Sequence, residues 1–287
     1  MIVSSRTPWR RRFKNGLFAT LCILSTLVAV AMLVGLLYSL ITGGVGRLSV
    51  PFLMEFSSRF PEKAGIKAAL FGSMWVVTLT ALMSVPVGIA AAIYLEEFAP
   101  ARSRLAQFVQ INISNLAGVP SIVYGLLGLA IFVRGMDLGR SVFAGALTMS
   151  LLILPQLITV SQEALRAVPP SFREGAYALG ATPWQAISRQ VLPSAAPSIL
   201  TGIILAISRA LGETAPLIVV GAVAYVARVP GGVGDSYTVL PIQIFNWVGM
   251  PQKGFQDAAA AAILVLLVVL LALNGVAIVL RNRLSAQ

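Results

Sequence analysis

An arginine and a glutamate four residues apart, Arg209 and Glu213, lie inside a long apolar run, with Thr214 and Pro216 close behind. An ionisable side chain at the centre of a membrane-crossing helix costs about 2.5 to 3.5 kcal/mol on insertion scales, so a pair of them needs a reason. The i, i+4 spacing puts both on one helical face with Gly202 and Ala206, a face small at one end and charged at the other. Such a face must point into protein or a polar route. Pro216 has no N–H for the carbonyl of Gly212, which marks a helix kink beside the pair. Two readings are open: Arg209, Glu213 and Thr214 line a translocation pathway, or the pair only neutralises itself in the bilayer.

A second constellation lies in the segment 161–198. Ser171 and Glu174 have the spacing of a capping box, and Gly180 ends the helix they would start. Thr182, Pro183 and Gln185 repeat the signal before Pro193 discourages continuation. On this second short helix Trp184, Ile187 and Val191 fall at i, i+3 and i+7, an apolar stripe on an element too short to cross a membrane. The stripe packs on the chain's own helix ends or on a partner, and Glu174 is a cap or a contact. Further upstream, Ser114, Gly118, Ser121 and Gly125 form a small-residue stripe at i, i+4, i+7 and i+11 that lets another helix approach closely. Asn112 and Asn115 lie off that stripe and need polar partners of their own.

The elements that must position these residues follow from composition. Of 287 residues 57% are hydrophobic and 11% charged, more apolar surface than one soluble core of this length can bury. Six apolar runs, 17–41, 68–95, 105–133, 141–160, 199–226 and 258–280, are each long enough to span about 30 Å of hydrocarbon. The expected fold is an all-α polytopic membrane protein with six transmembrane helices. The run 17–41 is about twice the length of a signal-peptide core and is read as a retained first span. Of the six, only the fifth is read as carrying charge. Six spans put both termini on one side, and the basic residues of the arm 1–16, among them Arg10, Arg11, Arg12 and Lys14, place that side in the cytoplasm. The segment 161–198 is then cytoplasmic and 227–257 external.

The same sequence excludes several chemistries. With a single cysteine, Cys22, and no histidine, there is no intrachain disulfide, no Cys or His zinc site and no histidine-based triad, and no metal site is expected. No lysine sits in a Gly-Lys-Ser/Thr context, so the chain lacks the loop that holds ATP phosphates. The net charge of +11 is spread in short segments between apolar runs, which argues for topology and against a nucleic-acid partner.

Four stretches resemble a known family. Glu174-Gly175-Ala176, Gly180 and Leu192-Pro193 look like the EAA loop of type I ABC importer permeases, although Gly175 stands where the pattern has alanine and Gln190 where it has isoleucine. The run Arg209 to Leu217, reading RALGETAPL, resembles the fifth-span signature of PstA-type permease subunits of bacterial phosphate ABC importers. So do LAGVPSIVYG, from Leu116 to Gly125, and LPIQIFNW, from Leu240 to Trp247. This resemblance covers about residue 68 onward and implies a MetI-like permease core over 68–280. In that family Glu174, Gly175, Ala176, Gly180, Trp184, Ile187 and Val191 belong to a coupling helix segment seated on an ATPase. The implied partners are a PstC-type second permease, two copies of a cytoplasmic ATPase holding ATP and Mg, an external phosphate-binding protein, and inorganic phosphate as substrate. The chain itself would be a non-catalytic subunit of the bacterial inner membrane that binds no cofactor. Arg209 suits an oxyanion as a forked donor, while Glu213 can accept a proton from hydrogen phosphate and repels fully ionised sulfate. A permease for another oxyanion and a proton-coupled secondary transporter are the competing readings.

Overall fold

Backbone N–H and C=O groups in hydrocarbon have no water to bond, so apolar runs of this length form helices that satisfy themselves. The computed structural model describes residues 9–100, 103–223 and 225–285, and among these there is no strand. The first eight residues of the N-terminal arm lie outside this range.

In chain order, α1 (Trp9–Gly44) leads to α2 (Val50–Met54), α3 (Lys67–Ile93) and a wide π turn at Tyr94–Phe98. Next come α4 (Arg104–Ala117), α5 (Ser121–Gly128), a second π turn at Leu129–Gly135, and α6 (Val142–Arg166). The short helices α7 (Pro170–Ala178) and α8 (Pro183–Ala186) precede a third π turn at Ile187–Val191 and α9 (Leu192–Gly212). The chain closes with α10 (Ala215–Val220), α11 (Leu240–Val248) and α12 (Lys253–Ser285). Five helical stretches are long and apolar enough to cross a membrane: Phe13–Arg47, Lys67–Phe98, Val142–Arg166, Pro183–Gly212 and Lys253–Arg283. The sixth expected span is the pair Arg104–Ala117 and Ser121–Gly135, bent by 106°.

That bend corrects the straight third span. Pro120 offers no N–H and disfavours helix at Val119, so α4 ends in Gly118 and α5 restarts at Ser121. The stripe Ser114, Gly118, Ser121 and Gly125 is therefore not one face. Of its two glycines, Gly125 meets another helix closely and Gly118 does not: a Cβ on Gly125 would lie 2.8 Å from the Pro216 Cα. The Asn112 side-chain amide donates to the Phe108 carbonyl at 2.7 Å, one turn back on its own helix.

The fifth span is also interrupted. α9 stops at Gly212, Glu213 is extended with φ −74° and ψ 132°, and α10 begins one residue after Thr214. Pro216 is thus no kink inside a helix. It sits in the first turn of α10, where its missing N–H costs nothing. Upstream, Pro193 does not stop the second short helix as expected. The Leu192 N–H reaches back five residues to the Ile187 carbonyl, and the widened turn makes room for the proline ring.

Three apolar clusters lie along the bundle. At one end Phe52, Ile66, Leu240, Trp247 and Phe255 pack with Ala258, Ala259, Ala261 and Ala262. In the middle Val76, Met149, Ile153, Leu157, Ala206 and Ala210 join α3, α6 and α9. At the end carrying α7 and α8, Ala92, Ile158, Leu165, Ile187, Val191 and Ile199 form the third. α1 stands apart and touches α12 where a Cβ on Gly44 would lie 2.7 Å from the Ala261 nitrogen. Gly44→Val should therefore cost about 1 to 3 kcal/mol by overpacking. Gly35→Val, with nothing within 4 Å of a Cβ, should change stability by less than about 0.5 kcal/mol. Thermal unfolding of the two variants in one detergent checks the difference.

Candidate functional site

α9 holds Arg209 one turn before its end, and the extended backbone at Glu213 swings that carboxylate back beside it. Arg209 Nε donates to Glu213 Oε1 at 3.3 Å, and an Arg209 terminal nitrogen donates to Gln156 Oε1 on α6 at 3.4 Å. The arginine side chain is 54% exposed and the carboxylate 19%. A pair this open contributes about 0 to 1 kcal/mol to stability. Its value lies elsewhere. Arg209 lines a cavity of about 190 Å³ together with Gln156, Thr159 and Glu163 of α6, Tyr124 of α5 and the Leu116–Val119 break. The Tyr124 hydroxyl donates to the Leu116 carbonyl at 2.8 Å and closes one side of that break. Thr214 is half-buried at the interruption, and Pro216 is buried against Gly125. One forked cation, an amide, two hydroxyls and one carboxylate thus share a small polar space able to take an oxyanion and an acidic hydrogen.

The fourth span was expected to end near residue 160, but α6 continues to Arg166 and brings Glu163 into this cavity. Charge is therefore not confined to the fifth span. Gln156, Thr159 and Glu163 fall at i, i+3 and i+7, so their shared face was readable once the helix was extended by a further turn past 160. The other charged partners, Glu96 and Glu97, come from the π turn after α3 and carried no local signal.

The second constellation is built around that π turn. Arg173 of α7 pairs with Glu97 at 2.5 Å and also donates to the Val168 and Leu165 carbonyls, each at 3.0 Å. The bond to Glu97 raises the Arg173 pKa above the ordinary arginine value, so the cation persists at every physiological pH. Arg166 pairs with Glu96 at 2.8 Å. Thr182 and Gln185 form the expected capping box, and Gly180 takes a φ of +79°, which suits glycine. Ser171 and Glu174 form no such box: Pro170 starts α7 one residue earlier, and no side chain caps it.

The apolar stripe divides. Ile187 and Val191 are buried in the chain's own core, as one of the two readings held, while Trp184 is 59% and Leu179 90% exposed. Ser171, Phe172, Gly175, Ala176, Leu179 and Gln190 line a hollow of about 400 Å³ beside them, and Glu174 is exposed on the same short helix.

Comparison with known proteins supplies the context for both constellations. The family described as binding-protein-dependent transport system inner membrane component matches residues 84–286. A phosphate transport system permease protein, PstA 1 of Mycobacterium tuberculosis, is 35% identical over 91% of this chain and 86% of its own length. The chain belongs to this family, among its PstA-type permeases. The PstA protein of Pasteurella multocida is 33% identical to the permease over 91% of this chain and 92% of its own. The probable ABC transporter permease YqgI of Bacillus subtilis is 35% identical over 72% and 69%. Among solved structures, a bacterial ABC transporter involved in import of the polysaccharide alginate has a TM-score of 0.64 at 18% identity, covering 94% of this chain and 97% of that one. The inward-facing MetNI methionine ABC transporter has a TM-score of 0.61 at 14% identity, covering 75% and 93%. The permease thus has the fold of type I ABC importer permeases.

Removing Arg173 leaves a carboxylate that is 8% exposed without its partner. Arg173→Ala should therefore cost about 3 kcal/mol or more. Arg166→Ala, whose side chain is 58% exposed, should cost at most about 1 kcal/mol. Unfolding midpoints of the two purified variants test the ordering.

Proposed function

We propose that the permease is the PstA-type half of the membrane channel of an ATP-driven phosphate importer. The observation that carries this reading is 35% identity over 91% of the chain to a phosphate transport permease, in a chain where Arg209, paired with Glu213, lines a small cavity with Gln156 and Glu163. In lipid, an arginine as open as Arg209 would cost about 2.5 to 3.5 kcal/mol. A PstC-type second permease covers that face and supplies the other half of the pathway.

Phosphate enters with at least one acidic hydrogen. Arg209 offers two donors to its oxygens while Glu213 accepts that hydrogen, so a monohydrogen or dihydrogen phosphate satisfies both side chains and sulfate satisfies only one. Because Glu213 is the extended residue between two helices, a small rotation there separates the carboxylate from the guanidinium. Glu163 stands across the cavity as a second carboxylate for Arg209. The interruption is therefore the hinge about which access alternates.

Both termini and the α7–α8 segment face the cytoplasm, where two copies of an ATPase bind ATP and Mg. Leu179, Trp184 and Glu174 present the surface on which one ATPase sits, and Ile187 and Val191 anchor that surface to the bundle. Arg173 joins it to α3 and α6, so movement of α7 reaches the helix that carries Gln156 and Glu163. An external phosphate-binding protein delivers the substrate. The permease performs no covalent step.

ATP-dependent phosphate uptake by the coexpressed four-component complex tests this reading. Glu213→Gln and Arg209→Gln should each lower uptake about tenfold or more, with the complex still assembled. Leu179→Ser and Trp184→Ala should instead weaken copurification of the ATPase. Unchanged uptake in Glu213→Gln would remove that residue from the pathway. Uptake by the chain alone under a proton gradient would establish the secondary-transporter reading.

A further inference from the structure

The apolar run 258–280 of α12 contains a single polar side chain, Asn274. An asparagine inside a span is costlier to insert than a leucine and calls for a partner within the protein. Ser208 of α9 is that partner: its hydroxyl donates to Asn274 Oδ1 at 2.7 Å. The choice is not the local one. Ser188, Ser194 and Thr201, on the same stretch of chain, each donate to the carbonyl four residues back, which is how a helical hydroxyl satisfies itself in lipid. Ser208 reaches across to another helix instead.

Its place in the chain gives that bond a consequence. Ser208 directly precedes Arg209, and consecutive helical residues are turned by about 100°. With Ser208 facing α12, Arg209 faces round to α6, where a terminal nitrogen donates to Gln156 at 3.4 Å. α9 ends at Gly212, one turn later, so little helix follows to hold the arginine in place. Its packing on α6 is made by small residues: a Cβ on Gly202 would lie 2.1 Å from Val160 Cγ1, and Ala206 and Ala210 are buried beside it. Such contacts let the two backbones approach but set no direction, whereas a hydrogen bond does. Past Leu266, no described residue of α12 belongs to any of the three apolar clusters, so here too a polar contact fixes the pairing. A rotation of about 25° moves a Cα on a helix radius of about 2.3 Å by about 1 Å, and a guanidinium by more.

We propose that Asn274 is a positioning residue for the pathway: by holding the Ser208 hydroxyl it fixes the rotation of the end of α9 and so aims Arg209 into the cavity beside α6. That Arg209 there meets phosphate rests on the importer reading above. The contact between α9 and α12 does not.

The test begins with ATP-dependent uptake by the coexpressed complex. Asn274→Leu and Ser208→Ala should each lower the maximal rate about three- to twentyfold, while Ser208→Thr, which keeps the donor, retains most of it. Leucine suits a span better than asparagine, so a lost fold is not the expected cause of the fall. In an Arg209→Gln background Asn274→Leu should add no further loss, because the group it aims is gone. Wild-type uptake in Asn274→Leu, or a full second loss on top of Arg209→Gln, would overturn the proposal. A second readout needs no transport. In the full chain carrying Cys22→Ser, spin labels at Leu205→Cys and Leu271→Cys, both exposed positions, report the distance between α9 and α12 by electron paramagnetic resonance. Adding Asn274→Leu should broaden that distribution, and an unchanged distribution overturns the proposal whatever the uptake. If the wild-type complex takes up no phosphate, the importer reading falls, and the spin labels alone then decide whether Asn274 holds α9.

Discussion

A helix broken inside a membrane leaves backbone groups that must find partners within the protein, and this requirement organises the middle of the permease. Two of its spans are broken, at 118–120 and at 213–214. The breaks are brought together: Gly125 of α5 lies against Pro216 of α10, so closely that no side chain fits between them. The Tyr124 hydroxyl then satisfies the Leu116 carbonyl across the first break. The space left where these interruptions meet the face of α6 is the cavity into which Arg209 points. Polar backbone and polar side chains are concentrated at one place because neither is tolerated at another.

The two ion pairs that flank this region differ in kind. Arg173 and Glu97 are close, largely buried and supported by two carbonyls, so the pair acts as a fixed joint between α7, α3 and the end of α6. Arg209 and Glu213 are longer and more open, with Gln156 taking a share of the guanidinium. A loosely held arginine can exchange partners at little cost. α6 connects the two, since it carries Gln156, Thr159 and Glu163 at the cavity and Leu165 near the joint. A displacement of α7 therefore has a rigid route to the groups facing Arg209.

The fold class was legible because the length and apolarity of each run are properties of consecutive residues and add along the chain. Thr182 with Gln185, and Gly180, were legible for the same reason: a cap and a left-handed residue are decided within four positions. Arg209 and Glu213 announced themselves by cost alone. What failed was continuity. Pro120, Pro193 and Pro216 look alike in sequence, yet the first accompanies a sharp break, the second sits inside a continuous helix after a π turn, and the third opens a new helix.

The sequence by itself thus determined how many apolar segments must be accommodated, which few residues could do polar work among them, and where the short capped segment would lie. Only the tertiary structure decided that Ile187 and Val191 face inward while Leu179 and Trp184 face outward, that Glu163 belongs with Arg209, and that Glu97 belongs with Arg173. The reason is physical. A proline or an apolar residue has the same local preferences wherever it stands, but whether a helix bends, and which side of it is covered, depends on what neighbouring helices offer its free backbone groups and side chains.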